Sequence, residues 1–126
     1  MKAILPVFNI AMGIAIYGVW MMDIASRKYR GAFFKWREGE NVMWPHLIAE
    51  FLTAAALILS GVGTLLKSGW AEVLIVVALG SLFYASLDAL SWTLADKKRW
   101  PYSVFMLIGL AGSLTFITII ITELVR

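Results

Sequence analysis

The chain has 126 residues, of which 61% are hydrophobic and only 15% are charged. Soluble globular domains are nearer half apolar and a quarter charged, so this composition excludes an ordinary soluble enzyme domain as well as a disordered chain. The absence of cysteine excludes disulfides, thiolate metal ligands and cysteine nucleophiles. The net charge is only +3, which suits membrane-facing loops better than a nucleic-acid surface, and we expect no nucleic acid partner.

Four mostly apolar segments follow one another along the chain. Each is about 20 residues long, the length that a helix needs to cross a bilayer. They cover residues 3–22, 46–66, 70–92 and 102–123. The sequence therefore predicts an all-α fold, an integral membrane four-helix bundle of up-down-up-down topology that forms one domain over residues 1–126.

The connections between these helices differ in charge. Residues 23–45 and 94–101, on one side, carry eight Lys and Arg, whereas the other side carries only Lys2, Lys67 and Arg126. Cytoplasmic loops hold the excess of Lys and Arg. We therefore predict a multi-pass protein of the cell membrane with both basic loops in the cytoplasm and both termini outside.

The long connection over residues 23–45 has an amphipathic pattern of its own. Ala25, Tyr29, Ala32 and Trp36 recur at helical spacing, and most of the basic residues fall elsewhere on the same helical wheel. This pattern predicts a helix in the plane of the membrane that is anchored there by general attraction to anionic lipid headgroups. The alternative is a dedicated site for a lipid headgroup or for a docking partner.

Two of the predicted spanning helices carry polar stripes. Six residues of the second helix fall within about 80° of one another at 100° per residue: His46, Glu50, Thr53, Leu57, Ser60 and Thr64. Four residues of the third helix share a similarly narrow arc: Ser81, Tyr84, Asp88 and Ser91. We expect both stripes to face the interior of the bundle, because the remaining surfaces of these helices are apolar.

Two carboxylates lie at matching depth on these stripes. Glu50 is about four residues from the start of the second helix and Asp88 about four from the end of the third, so both should lie about 6 Å below the cytoplasmic interface. We expect them to face each other, with His46 above and Tyr84 below. An ionisable side chain within a bilayer is costly and marks a functional site by default. Aromatic residues predicted at similar depth complete the candidate ligand-binding set: Tyr17, Trp20 and Tyr102.

The chemistry open to such a cluster is broad. Two carboxylates close together in a low dielectric do not both ionise easily, so the pair can hold a proton, bind a cation, or act as general acid and base. Glu50, Asp88 and His46 are the candidate catalytic residues. Two acids and one histidine make a poor metal signature, unlike an HExxH motif, so the sequence predicts neither a metal nor a cofactor.

His46-x-x-x-Glu50 on a second helix, with an acid on the neighbouring helix, resembles the sterol-isomerase and sigma-2 receptor group. The resemblance covers three residues and implies an isomerase-type activity or the binding of lipophilic amines.

Three functions remain open at this level. The leading hypothesis is a small membrane protein that binds or transports a small cationic or protonatable solute, or protons alone. Because four helices enclose little volume, transport would favour a homodimer. The alternatives are an intramembrane enzyme that performs acid–base chemistry on a lipid or isoprenoid, and a structural or assembly subunit of a membrane complex.

Overall fold

The computed structural model describes residues 3–25, 43–95 and 100–126, and apart from short turns and ends these are α-helical. The four helices in chain order are α1 (Ile4–Ala25), α2 (Met43–Leu65), α3 (Trp70–Ala95) and α4 (Trp100–Leu124). Each contains a stretch of 19 to 25 residues that is long and apolar enough to cross a membrane. The predicted all-α fold with four membrane-spanning helices is confirmed.

The helix ends differ from the predicted spans by at most three residues. The largest differences are that α1 continues to Ala25, α2 begins at Met43 and α3 continues to Ala95. The predicted amphipathic segment falls mainly on residues 26–42, which lie outside the described residues. The predicted contact of that segment with anionic lipid headgroups lies outside them as well.

Contacts between helices establish the antiparallel order. Asn9, near the start of α1, donates a hydrogen bond to Ser60 near the end of α2 at 3.0 Å. At the opposite end of the same pair, the ring of Trp20 lies 6.0 Å from that of His46. Asn9 therefore forms a buried hydrogen bond between α1 and α2.

The other two helix pairs repeat this arrangement. His46 at the start of α2 contacts Asp88 near the end of α3, and Ser103 near the start of α4 donates to Thr93 near the end of α3 at 2.9 Å. The topology is up-down-up-down. The end of the bundle where α1 and α3 finish is named the loop end. The opposite end, which carries the α2–α3 turn, is named the terminal end.

The α2–α3 turn is short because of how α2 ends. Lys67 adopts a left-handed conformation with φ of 56°, and the amide of Ser68 donates to the carbonyl of Gly63 at 2.9 Å. This is a Schellman ending, which satisfies carbonyls left open at the helix terminus. It reverses the chain within four residues and places α3 beside α2.

Glycines bring α1 and α2 into close contact. A Cβ on Gly13 of α1 would lie 2.7 Å from the carbonyl oxygen of Ala54, and one on Gly61 of α2 would lie 2.7 Å from that of Pro6. Small residues allow the backbones of membrane helices to approach in this way. The α1–α2 pair is consequently packed with its backbones close together.

The core lies between α1, α2 and α3, and α4 is the least buried helix. Side chains from three helices form one apolar cluster, which includes Met12, Ile16, Leu57 and Leu82. Only 11% of the most apolar window of α4 is buried. Much of α4 is therefore left to face lipid.

Candidate functional site

The imidazole of His46 stands between two carboxylates at the loop end of α2 and α3. Its Nδ1 lies 3.2 Å from Oδ2 of Asp88, and its Nε2 lies 3.8 Å from Oε1 of Glu50. His46 and Glu50 share a face because they are one helical turn apart. We call these three residues the acid–His cluster.

The cluster differs in one respect from the sequence prediction. Glu50 and Asp88 were expected to face each other directly, whereas the imidazole of His46 lies between them. The prediction placed the two acids by counting residues from the helix ends. The register of two helices is set instead by how their side chains interdigitate, and here it aligns Asp88 with His46.

Glu50 is the buried member of the cluster. Only 7% of its side chain is exposed, and it forms a side-chain hydrogen bond with Trp20 of α1. The indole N–H is a donor only, so Trp20 donates and the carboxylate accepts. The Trp20 ring also meets His46 edge-on. The structure thus brings Trp20 into the site, as its depth predicted.

The two predicted polar stripes differ in whether they are buried. The stripe on α2 is buried at Glu50, Thr53, Leu57 and Ser60, as predicted. The stripe on α3 does not face the interior, so that prediction is wrong: 71% of Tyr84 is exposed.

The buried face of α3 is a different one, made by apolar and small residues: Ala71, Ile75, Ala78, Leu79, Leu82 and Ser86. A helix apolar on nearly all sides has no single face that must turn inward. Steric fit with α2 and α4 decides its rotation instead.

The three predicted tyrosines lie in three different surroundings. The hydroxyl of Tyr17 donates to the backbone carbonyl of Phe51 at 3.0 Å, and the two rings stack at 5.3 Å. Tyr17 therefore links α1 to α2 through a hydrogen bond and a ring contact. Tyr84 lines the groove described below, and Tyr102 of α4 is half-buried and not part of that lining.

A groove leads from the cluster along the surface between α2 and α3. Its volume is about 670 Å³, within the range of about 300–1,000 Å³ typical of small-molecule sites. Its residues all come from α2 and α3. Leu52, Val77 and Tyr84 on its rim are exposed. In a bilayer this α2–α3 groove therefore opens sideways to lipid.

Small side chains create the space in the groove. They are Ala49, Thr53, Ala56, Gly80, Ser81 and Ala85. Of these residues, only Thr53 and Ser81 belong to the predicted polar stripes, and the sequence does not predict a groove. Facing rows of small residues on neighbouring helices were the sequence signal that could have indicated the groove. Such rows also occur where helices touch, and only the observed spacing of the helices distinguishes the two cases.

The electrostatics of the cluster favour a cation. With both carboxylates ionised, the three side chains carry a formal charge of −1 when His46 is protonated and −2 when it is neutral. Of the Lys and Arg side chains, the structure describes Lys67 and Arg126, which lie at the terminal end, whereas the eight Lys and Arg of the two connections at the loop end lie outside the described residues. Among the residues that the structure describes, no group of three or more His, Asp or Glu side chains could hold a metal ion.

A family model with the description "Domain of unknown function (DUF8058)" matches residues 1–126. The chain belongs to this family. No curated protein and no solved structure matches it significantly. The DUF8058 description names no activity, so the chemistry of this member has to be inferred from the acid–His cluster and the α2–α3 groove.

Proposed function

We propose that this protein binds a cationic or protonatable solute at the acid–His cluster, and that an organic ammonium ion is the simplest such solute. The observation that carries the proposal is the pair of carboxylates held on either side of one imidazole, 3.2 and 3.8 Å from its two nitrogens. One positive imidazole balances only one of two ionised carboxylates. A proton on the second carboxylate or a bound cation would complete neutrality, which matters most within a bilayer, and the proposal assigns this place to the solute.

The exposure of Asp88 supports a binding role over a bracing role. About 35% of its side chain is accessible, whereas Glu50 is nearly covered. Asp88 also lines the groove, so a solute could reach it without unfolding the bundle. A brace between α2 and α3 is less needed, because their turn already joins them and Gly63 packs against Trp70 and Ala71 at the terminal end.

The solute would have defined donors and acceptors. Asp88 would accept a hydrogen bond from its N–H group, and His46 would exchange a proton between Asp88 and Glu50. Trp20 would hold Glu50 in place. A protonated ligand could thus pass its proton to the cluster and leave as the neutral amine.

We propose further that the protein lies in the cell membrane with both termini outside and the loop end in the cytoplasm. The imbalance of eight against three Lys and Arg supports this orientation. The cluster would then be reached from the cytoplasmic leaflet. Transport across the membrane would require a homodimer, since four helices enclose too little volume for a path through one copy.

The test is thermal unfolding of the purified protein in detergent, with and without n-butylammonium. Four proteins are compared: the wild type, Glu50→Gln, Asp88→Asn and the double variant. We expect butylammonium to raise the unfolding temperature of the wild type, because a ligand that binds only the folded state stabilises it. The shift should disappear in all three variants. Without ligand the variants should be as stable as the wild type or more so, since functional charges are usually strained.

Glu72→Gln is the matched control, because Glu72 is an exposed acid in the first turn of α3, at the terminal end. It should retain the full butylammonium shift. A shift that survives in Asp88→Asn would overturn the proposal. So would a large loss of stability in each single variant that is partly recovered in the double variant, because such coupling identifies a structural polar pair.

A further inference from the structure

The α2–α3 groove extends well beyond the acid–His cluster. On α3 it runs from Asp88 to Val76, and on α2 from His46 to Ala56. Twelve residues of helix cover about 18 Å. Half of a hydrocarbon core of about 30 Å is about 15 Å, so the groove is about as long as a lipid chain of one leaflet.

The two ends of the groove differ in chemistry. With both carboxylates ionised, the acid–His cluster at the loop end is anionic, whereas Ala56 and Val76 near the far end are apolar. A ligand that fits both must carry a positive charge at one end and a hydrocarbon chain at the other. A phospholipid fits poorly, because its phosphate would lie beside two carboxylates.

The shape of the groove restricts the chain. It is a furrow between two helices, with a floor of small residues that includes Thr53, Ala56 and Ala85, and it is open to the bilayer along its length. Apart from its two chain neighbours and the adjacent backbone of α3, no atom lies within 4 Å of where a Cβ on Gly80 would stand, so there is free space at the middle of the groove. Such a furrow suits a linear chain.

We infer that the ligand is a single-chain amphiphile with an amine head, such as a long-chain alkylammonium ion, which enters sideways from the bilayer. Its ammonium group lies at Asp88 and its chain follows the small residues toward Val76. This inference rests on the proposed function and specifies its ligand. The protein would then take its ligand from the membrane and not from the aqueous phase.

The test uses variants that fill the groove without touching the cluster. Gly80→Phe adds a ring to the groove floor where there is open space, so the variant should fold. Gly18→Phe is the matched control. Gly18 is also an exposed helical glycine with open space around it, but it lies on α1 and away from the groove.

Wild type, Gly80→Phe, Gly18→Phe and Asp88→Asn are placed in nanodiscs of neutral phospholipid. The first probe is tetradecylamine with a photoreactive diazirine at the chain end, and the labelled residues are mapped by mass spectrometry. We expect wild type and Gly18→Phe to be labelled around Val76 and Ala56. Labelling there should fall at least fivefold in Gly80→Phe and in Asp88→Asn. The second probe, n-butylammonium, should bind Gly80→Phe as it binds the wild type.

The outcomes separate the two claims. If Gly80→Phe is labelled like the wild type, or if labels spread evenly over the lipid-facing helices, the chain-binding groove is wrong while butylammonium binding still supports the cluster. If butylammonium binds neither the wild type nor Gly80→Phe, the proposed function fails. If the wild type is dimeric in the nanodisc and Gly80→Phe is monomeric, the groove holds a second copy of this chain and the inference is overturned.

Discussion

At the scale of single residues, the site depends on what holds each ionisable group. Glu50 has two neighbours with different tasks: the indole of Trp20, which comes from α1, and the imidazole of His46, which comes from its own helix. Asp88 has the imidazole and an open side toward the groove. The buried acid is therefore positioned, and the accessible acid is available to a ligand.

The role of Trp20 as a positioning residue can be tested directly. Trp20→Phe keeps an aromatic ring but removes the N–H that bonds Glu50, and hydrogen bonds to charged groups contribute about 1.5–3 kcal/mol. We expect butylammonium binding to weaken by about tenfold, measured by calorimetry.

Trp100→Phe serves as the control for this substitution, since Trp100 is exposed on α4. It should bind butylammonium like the wild type. A Trp20→Phe protein that unfolds at a lower temperature yet binds normally would show that the indole only supports packing.

At the scale of helices, close approach on one side of α2 contrasts with open space on the other. Toward α1, α2 meets Gly13 at contact distances that leave no room for a Cβ. Toward α3, it leaves the groove over Gly80. The same residue type therefore serves tight packing in one helix and a cavity in another.

The close packing of α1 against α2 predicts different effects on stability for alanine substitutions at two glycines of α1. In Gly13→Ala the new methyl would lie 2.6 Å from Cγ1 of Ile58 and 2.7 Å from the carbonyl oxygen of Ala54. Such overpacking costs about 1–3 kcal/mol. Gly18→Ala meets nothing within 4 Å and should leave stability unchanged or raise it.

The free energy of unfolding of both proteins can be measured by titration with a denaturing detergent, followed by circular dichroism. Equal stability of Gly13→Ala and Gly18→Ala would contradict the close α1–α2 packing.

At the scale of the whole molecule, the antiparallel bundle brings the cluster and both basic connections to one end. Its orientation can be measured because the chain has no cysteine, so one introduced cysteine gives the only thiol signal. We expect a membrane-impermeant maleimide to label Lys67→Cys in intact cells. Lys97→Cys should be labelled only after the membrane is permeabilised.

The cysteine-free wild type is the control for background labelling. Labelling of Lys97→Cys in intact cells, with protection of Lys67→Cys, would reverse the proposed orientation and place the acid–His cluster toward the outside.

The sequence alone determined the fold class, the number of spanning helices and their approximate ends. Each of these follows from the length and hydropathy of one segment at a time, and the bilayer imposes the same length on every helix. The sequence also placed the candidate residues His46, Glu50, Asp88 and Trp20 at one depth, and the three ionisable ones are conspicuous because few ionisable side chains lie within the predicted spans.

Only the tertiary structure decided which faces of the helices meet. It placed His46 between the acids, directed Tyr17 to the backbone of Phe51 and turned Tyr84 outward. It also showed a groove between the small residues of α2 and α3, where rows of small residues could equally have let the two helices touch. The reason is that lipid is as apolar as these helices, so hydrophobicity does not select an inward face. Rotation and register depend on steric fit between several helices, which no single segment encodes.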